Sequence, residues 1–165
     1  MERWLRKEAT IREAFVLAVA MIVVKIGYSY VLGIAFPQLK DAVDNAPKLG
    51  MTILAFSTPF LFLFYALMEE VIFRAPLSIA EDLGWSVRGM MVASLVLSVV
   101  FGLLHGSPAN IPYQGVAGFF YCIMYLKCGG LTGNGMKAIA VTSISHFTWN
   151  MLCIANLYCH GVRVV

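Results

Sequence analysis

Five long apolar stretches divide this sequence, and they constrain the fold more than any other feature. A helix needs about 20 apolar residues to cross the hydrocarbon core of a bilayer. Five such helices would use most of the 165 residues and leave no room for a separate soluble domain. We therefore predict an all-α, polytopic transmembrane bundle of about five membrane-embedded helices, forming a single domain over residues 1–165. The stretches cover residues 14–36, 59–83, 90–105, 113–126 and 138–158.

The composition supports a membrane protein. Hydrophobic residues make up 60% of the chain, charged residues make up 13%, and the mean hydropathy is +0.80. Soluble domains are nearer half apolar and a quarter charged. The formal charge of +3 is small and scattered, which argues against nucleic acid as a partner. We therefore expect membrane lipid to surround the chain.

Basic residues before the first apolar stretch predict the orientation of the chain. Under the positive-inside rule, lysine and arginine accumulate in cytoplasmic segments. We therefore predict an integral protein of the cell (plasma) membrane with a cytoplasmic N-terminus. The first stretch is too long for the core of a signal peptide, so we interpret it as a retained span. The basic residues before it are Arg3, Arg6, Lys7 and Arg12, whereas those that oppose this orientation are Lys40, Lys48 and Arg163.

The segments between the apolar stretches are rich in turn-forming residues. Segments 107–112 and 127–137 contain proline or glycine clusters that predict loops, and the second of them is expected to be flexible. Residues 37–48 form a polar connection, and residues 49–58 are expected to lead into the second helix. With these segments assigned as loops, several ionisable residues still fall inside the apolar helices.

Lys25 and the four cysteines have simple structural explanations. Lys25 interrupts the first stretch. Its long side chain could face the bundle or a water-filled crevice, but we expect it to snorkel towards the membrane surface. The cysteines show no paired spacing, so we expect them to be small buried hydrophobic residues. They are Cys122, Cys128, Cys153 and Cys159.

Three polar clusters interrupt the apolar stretches, although an ionisable side chain inside a bilayer is energetically expensive. Residues four apart on a helix share a face, and each cluster contains such a pair. Helix packing explains any single cluster. Together, they consist of the side chains that perform acid–base chemistry, which favours a functional site. The clusters are Glu69, Glu70 and Arg74; Phe101 and His105; and His146 and Asn150.

The clusters also lie at comparable depths. Counted from the turn near Trp85, Glu69 lies about 24 Å along one helix and His105 about 30 Å along the next, at 1.5 Å per residue. His146 lies about 15 Å beyond the glycine-rich connection, which is a looser agreement. We therefore predict that the three helices bring these side chains to one polar pocket.

The ordered patterns E-E-x-x-x-R, F-x-x-x-H and H-x-x-x-N resemble the CAAX prenyl protease and bacteriocin-processing (CPBP, or Abi) family of intramembrane glutamate proteases. The resemblance covers about residues 59–155. Two features depart from the family pattern. Ala75 and Pro76 follow Arg74, where the family often has glycine, and the chain is shorter than the eukaryotic prenyl-protein proteases.

The resemblance implies a membrane-embedded endopeptidase that hydrolyses a peptide bond in a membrane-associated or lipidated substrate. It assigns Glu69 as the base that activates water and His105 as a group that orients this water. It assigns His146 and Asn150 as donors to the oxyanion. Glu70 and Arg74 are then a supporting or substrate-positioning pair, with Phe101 beside His105. No metal or other cofactor is expected.

Other functions remain open at this point. A zinc-dependent membrane metalloprotease would use Glu69, His105 and His146 as ligands, although the H-E-x-x-H spacing is absent. A non-enzymatic binding or immunity protein could use the same scaffold without cleaving its partner. A transporter or proton relay also uses buried Glu and His, but the sequence shows no duplicated halves.

Overall fold

The chain forms a helical bundle, in agreement with the prediction. The computed structural model describes residues 2–38 and 58–159, and within these ranges it contains no β-strand. The predicted connection and helix lead-in over residues 39–57 lie outside the described residues. The α-helices are α1 (Glu2–Leu5), α2 (Ile11–Ala35), α3 (Thr58–Asp82), α4 (Val87–Leu104), α5 (Val116–Tyr125) and α6 (Gly135–Cys159).

Each predicted apolar stretch corresponds to one of the helices α2 to α6. In the described part of the chain, α2, α4 and α6 are long and apolar enough to cross a membrane. Helix α3 is equally long but carries the central charged residues, and α5 is short. The outward faces of α2 and α4 are covered with exposed valine, leucine, isoleucine and phenylalanine side chains. Such surfaces are suited to lipid, since backbone polar groups are satisfied within the helices.

Local sequence signals account for the helix boundaries. Thr10 and Glu13 form a capping box at the start of α2, with Glu13 N–H bonded to Thr10 Oγ1 at 3.2 Å and Thr10 N–H bonded to Glu13 Oε2 at 2.8 Å. Ser86 caps α4 by accepting a bond from Gly89 N–H. Gly84 adopts a φ of 73° between α3 and α4, a conformation that favours glycine.

Packing places α3, α4 and α6 around the predicted polar residues. Helix α3 lies along α6, α4 packs on α5 and on the turns before it, and α2 rests on α5 and α6. The apolar core includes Leu77, Met90, Cys122, Met124 and Ala138. It therefore joins α3, α4, α5 and α6 and fixes their spacing near the site.

The two predicted loops are more ordered than expected. Residues 107–112 contain a 3₁₀ turn (Pro108–Asn110) that runs into a π-helical turn (Ile111–Gly115). The segment Leu126–Gly130 is a second π-helical turn, and all five of its residues are buried. The prediction of a flexible connection from residue 127 was wrong at this point, because glycine also permits close packing. The fourth stretch accordingly forms an α-helix only over Val116–Tyr125.

The N-terminal segment holds the turn between α5 and α6. Lys127 donates hydrogen bonds to the backbone oxygens of Trp4, at 2.8 Å, and Lys7. Glu8 accepts a bond from Lys137 Nζ at 2.6 Å, and this ammonium group holds the pKa of Glu8 below its ordinary value. Buried Lys127, which was expected to lie in a flexible connection, thus anchors residues from the start of the chain.

Two further sequence interpretations need correction. Lys25 does not snorkel outwards: it is 7% exposed and faces the bundle between α5 and α6. Cys122 and Cys128 are buried as predicted, but Cys153 is exposed.

Gly102 permits a close approach that a side chain would block. A Cβ atom at this position would lie 2.7 Å from the Ile111 Cα atom, whereas one at Gly27 would meet nothing within 4 Å. We expect Gly102→Ala to lower the free energy of unfolding by about 1–3 kcal/mol through overpacking. Gly27→Ala is the matched control and should leave it unchanged or higher. Thermal unfolding in detergent would measure both, and equal values for the two variants would contradict the packing argument.

Candidate active site

The centre of the site is a buried ionic network that joins α3 to α6. Arg74 Nε donates to Glu70 Oε2 at 2.9 Å, and Arg74 Nη2 donates to Glu70 Oε1 at 3.3 Å. His146 Nδ1 contacts Glu70 Oε1 at 3.0 Å. The Glu70 and Arg74 side chains are each 1% exposed. Since an isolated buried charge is very unfavourable, the paired geometry explains how both groups remain in the bundle.

Glu69 is the more accessible of the two adjacent carboxylates. Its side chain is 36% exposed, and its Oε2 atom lies 3.6 Å from His146 Nε2. This separation is slightly longer than a direct hydrogen bond, and a water could contact both atoms. His146 therefore lies between the glutamates, with one ring nitrogen facing each. Only Glu69 keeps a carboxylate that is not held by Arg74.

His105 occupies the end of α4 and is oriented by its own helix. Its Nδ1 atom is 2.7 Å from the Phe101 carbonyl oxygen. A carbonyl can only accept, so Nδ1 carries hydrogen and Nε2 is the available acceptor in the neutral ring. The Asn110 side-chain amide donates to the His105 carbonyl at 2.7 Å and ties this helix end to the next turn.

Phe101 connects the two histidines. Its ring centroid lies 4.5 Å from that of His105 and 6.1 Å from that of His146. Phe73 packs edge-on against the same ring at 4.9 Å. His105 is therefore linked to the ionic network through the Phe101 ring. The imidazole that lies next to Glu69 is that of His146.

Asn150 follows His146 by one helical turn on α6 and is partly buried. Among the described residues, no hydrogen bond joins its side chain to the other predicted site residues. Glu69, Glu70, Arg74 and His146 are therefore brought into direct proximity. His105 and Phe101 form the adjoining wall, and Asn150 extends the site along α6.

Two residues of the site were not found by sequence reasoning. The Tyr121 ring stacks on His146 with centroids 4.8 Å apart and an interplanar angle of 21°. Arg74 Nη1 donates to Cys122 Sγ at 2.9 Å. Both residues come from α5, whose apolar sequence contains no charged residue that would have indicated a contribution. The sequence shows that Tyr121 and Cys122 are neighbours in an apolar stretch. That both side chains face the ionic network depends on how α5 packs against α3 and α6.

The arrangement provides the parts of an acid–base site in a water-poor environment. It contains an accessible carboxylate, imidazole nitrogens on two helices, and a fixed ion pair beneath them. In the described ranges, no group of three or more His, Cys, Asp and Glu side chains is arranged to hold a metal ion. That no cofactor is needed remains a prediction from the sequence.

Comparison with known proteins identifies the family. The family model described as "Type II CAAX prenyl endopeptidase Rce1-like" matches residues 51–152. No curated protein and no solved structure matches the chain. The matched region begins before α3, ends at residue 152 within α6 and contains all seven predicted site residues. With this match and its apolar helices, the chain is an integral membrane protein that belongs to the Rce1-like family of type II CAAX prenyl endopeptidases.

Proposed function

We propose that this protein is an intramembrane endopeptidase in which Glu69 activates water for peptide hydrolysis. The observation that carries the proposal is the different environment of the two adjacent glutamates. Arg74 and His146 hold Glu70 in place, while Glu69 is partly exposed beside a histidine nitrogen. A base needs an available lone pair within reach of its substrate. Glu69 meets this requirement and Glu70 does not.

The proposed reaction begins with a water held by Glu69 and the imidazole groups. Glu69 removes a proton as the water oxygen attacks the scissile carbonyl carbon, which gives a tetrahedral oxyanion. His146, with hydrogen on both ring nitrogens, and Asn150 stabilise this oxyanion as hydrogen-bond donors. Breaking the C–N bond then transfers the proton from Glu69 to the leaving amine. His105 orients the water through its available ring nitrogen.

Glu70 and Arg74 act as support in this scheme. Their ion pair fixes one nitrogen of His146, so the other nitrogen is directed towards Glu69. Phe101 and Tyr121 limit rotation of the same imidazole by packing on its ring. The site is therefore preorganised, and oxyanion stabilisation is strongest when donors need not reorganise during the reaction.

The proposed substrate is a membrane-associated or lipidated peptide. The exposed apolar surfaces of the helices allow a lipid-anchored chain to approach from the bilayer. We further propose that the N-terminus lies in the cytoplasm and that the protein resides in the plasma membrane. The basic residues that precede α2 support this orientation.

The function can be tested by comparing cells that carry the intact protein with cells that carry Glu69→Gln. Terminal proteomics should find at least one new peptide terminus that depends on intact Glu69. Equal amounts of both proteins in the membrane provide the control. Identical terminus profiles, together with an unchanged cellular phenotype, would instead favour a binding or immunity protein.

We expect Asn150→Ala to reduce kcat by about a hundredfold, since loss of one oxyanion donor has an effect of this size. KM should change little if the donor acts mainly in the transition state. Steady-state cleavage of a prenylated peptide would measure both constants. Asn156→Ala, on the same helix, is the control, and an unchanged rate for Asn150→Ala would make Asn150 a packing residue.

A further inference from the structure

An open groove with a volume of about 610 Å³ lies where the N-terminal segment meets the start of α2. None of the seven predicted site residues lines it. Its walls come from Trp4 and Lys7 in the N-terminal segment, from the first turns of α2, and from Lys127 in the π-helical turn after α5. Sites for small molecules have volumes of about 300–1,000 Å³. The groove is therefore large enough for a ligand with the size of a lipid headgroup.

Basic side chains line the end of the groove that the N-terminal segment forms. They are Lys7, Arg12 and Lys127, and in the part of the chain that the structure describes none of them forms an ion pair with a carboxylate. Glu13 is the acidic residue among those that line the groove, and its carboxylate accepts the Thr10 N–H bond of the capping box. Positive groups therefore outnumber negative ones around the groove, which favours an anionic ligand.

Lys127 has one hydrogen-bond donor more than its described partners accept. It is 5% exposed, and its Nζ atom donates to the backbone oxygens of Trp4 and Lys7. An ammonium group carries three N–H donors. The Trp4 ring centroid lies 4.7 Å from Nζ and supplies cation–π attraction, but no negative charge. A phosphate oxygen in the groove would accept the third hydrogen bond and compensate the buried charge.

The groove continues along α2 as an apolar surface. Val16, Leu17 and Ala20 line it beyond the basic end. Ala20 lies eight residues after Arg12, about 12 Å along the helix axis at 1.5 Å per residue. Because α2 is long and apolar enough to cross a membrane, this surface extends from the basic groups towards the hydrocarbon core. A phospholipid matches both parts, whereas an acidic peptide would place its backbone polar groups against apolar side chains.

We propose that this groove binds one anionic phospholipid. The three basic side chains contact its phosphate, and an acyl chain lies along Val16 and Ala20. Tryptophan is enriched at membrane–water interfaces, and Trp4 lies beside the headgroup in this arrangement. The bound lipid joins the N-terminal segment to the turn after α5 and stabilises their contact. The site is separate from the predicted active site, and its occupancy does not require peptide cleavage.

Lipid binding can be measured by native mass spectrometry of the purified full chain in detergent. The probes are phosphatidylglycerol, which is anionic, and phosphatidylcholine with the same acyl chains, which carries no net charge. Each basic group near a membrane surface contributes about fivefold to the binding of an anionic lipid. We therefore expect the chain to bind phosphatidylglycerol at least about 25-fold more tightly than phosphatidylcholine. Equal dissociation constants for the two lipids would overturn the proposal.

Substitutions of exposed basic residues locate the site. Lys7→Gln and Arg12→Gln should each weaken phosphatidylglycerol binding by about fivefold, and the double variant by about 25-fold. Arg88→Gln is the matched control, because Arg88 is the second residue of α4 as Arg12 is of α2, and both are exposed. It should leave the dissociation constant unchanged. A loss for Arg88→Gln equal to that for Arg12→Gln would show that binding follows the general surface charge, and would overturn the site.

Thermal unfolding gives a second readout and shows that the variants are folded. In phosphatidylcholine micelles all of them should unfold at the same temperature as the unchanged protein, since only exposed side chains differ. Phosphatidylglycerol should raise this temperature for the unchanged protein and for Arg88→Gln, because a ligand stabilises the state that binds it. It should not do so for the Lys7→Gln/Arg12→Gln variant. An equal rise for that variant would contradict the site.

Soluble probes distinguish a lipid from other anions. Glycerol 3-phosphate carries the same phosphate without acyl chains, so it should displace phosphatidylglycerol only at concentrations more than about a hundredfold higher. Displacement at equal concentration would assign the groove to a soluble phosphate compound. Displacement by an oligoglutamate peptide at equal concentration would assign it to an acidic peptide. Either result would overturn the lipid site.

Discussion

Glu69→Gln is expected to abolish detectable peptide cleavage, with kcat falling by about 10²- to 10⁴-fold, the usual contribution of a general base. Glutamine keeps the size and shape of the side chain but cannot take a proton from water at neutral pH. The protein should still insert and fold, because Glu69 is 36% exposed and its described polar contact is the 3.6 Å approach to His146. The change therefore separates chemistry from stability.

Cleavage of a prenylated peptide by purified protein, followed by mass spectrometry of the products, measures this effect. Glu81→Gln is a matched control, since Glu81 lies on the same helix α3 but near its C-terminal end, whereas Glu69 lies at its middle. It should retain full activity. If Glu69→Gln keeps more than about a tenth of the activity, another group must be the base. The thermal unfolding midpoint should be similar for all three proteins.

Glu70→Gln, unlike Glu69→Gln, should act mainly on stability and lower the free energy of unfolding by about 3–5 kcal/mol. Removing one partner of a buried ion pair leaves the other charge uncompensated, and this loss is of that size. Arg74 would keep its charge with a side chain that is 1% exposed. His146 would also lose the carboxylate that orients its Nδ1 atom. Activity would then fall because less of the protein is folded and because the His146 imidazole has lost the group that orients it.

Chemical or thermal unfolding in detergent would measure the loss for Glu70→Gln. The double variant Glu70→Gln/Arg74→Met should recover part of the stability, because it also removes the unpaired charge. It should not recover activity, since His146 remains without its support. A stability for Glu70→Gln equal to that of the unchanged protein would contradict the structural role of the pair.

The contrast between these adjacent glutamates shows where sequence reasoning reached its limit. Consecutive residues on an α-helix point about 100° apart, so Glu69 and Glu70 must face different surroundings. The spacing of Glu70 and Arg74 predicted their ion pair, and the structure confirms it. Which imidazole nitrogen faces which carboxylate depends on how α6 is rotated against α3, and residue spacing within one helix carries no information about that rotation.

The same limit applies to His105 and Lys25. Counting residues placed His105 at a suitable depth, but the structure joins it to His146 through Phe101 and not through a direct contact. Lys25 was expected to reach the membrane surface, and it faces Trp149 and Tyr121 instead. A lysine side chain can extend in either direction, and only the packing of α2 on α5 and α6 selects one.

The amino-acid sequence by itself determined the helical class, the approximate extent of five helices and the family motifs. These properties follow from the lengths of apolar stretches and from spacing along single helices, which are local quantities. The tertiary structure alone decided that Glu70 is held while Glu69 is accessible, and that α2 places Lys25 beside Tyr121 and Trp149. Those outcomes depend on the rotation and approach of separate helices, which are set by the packing of the whole bundle.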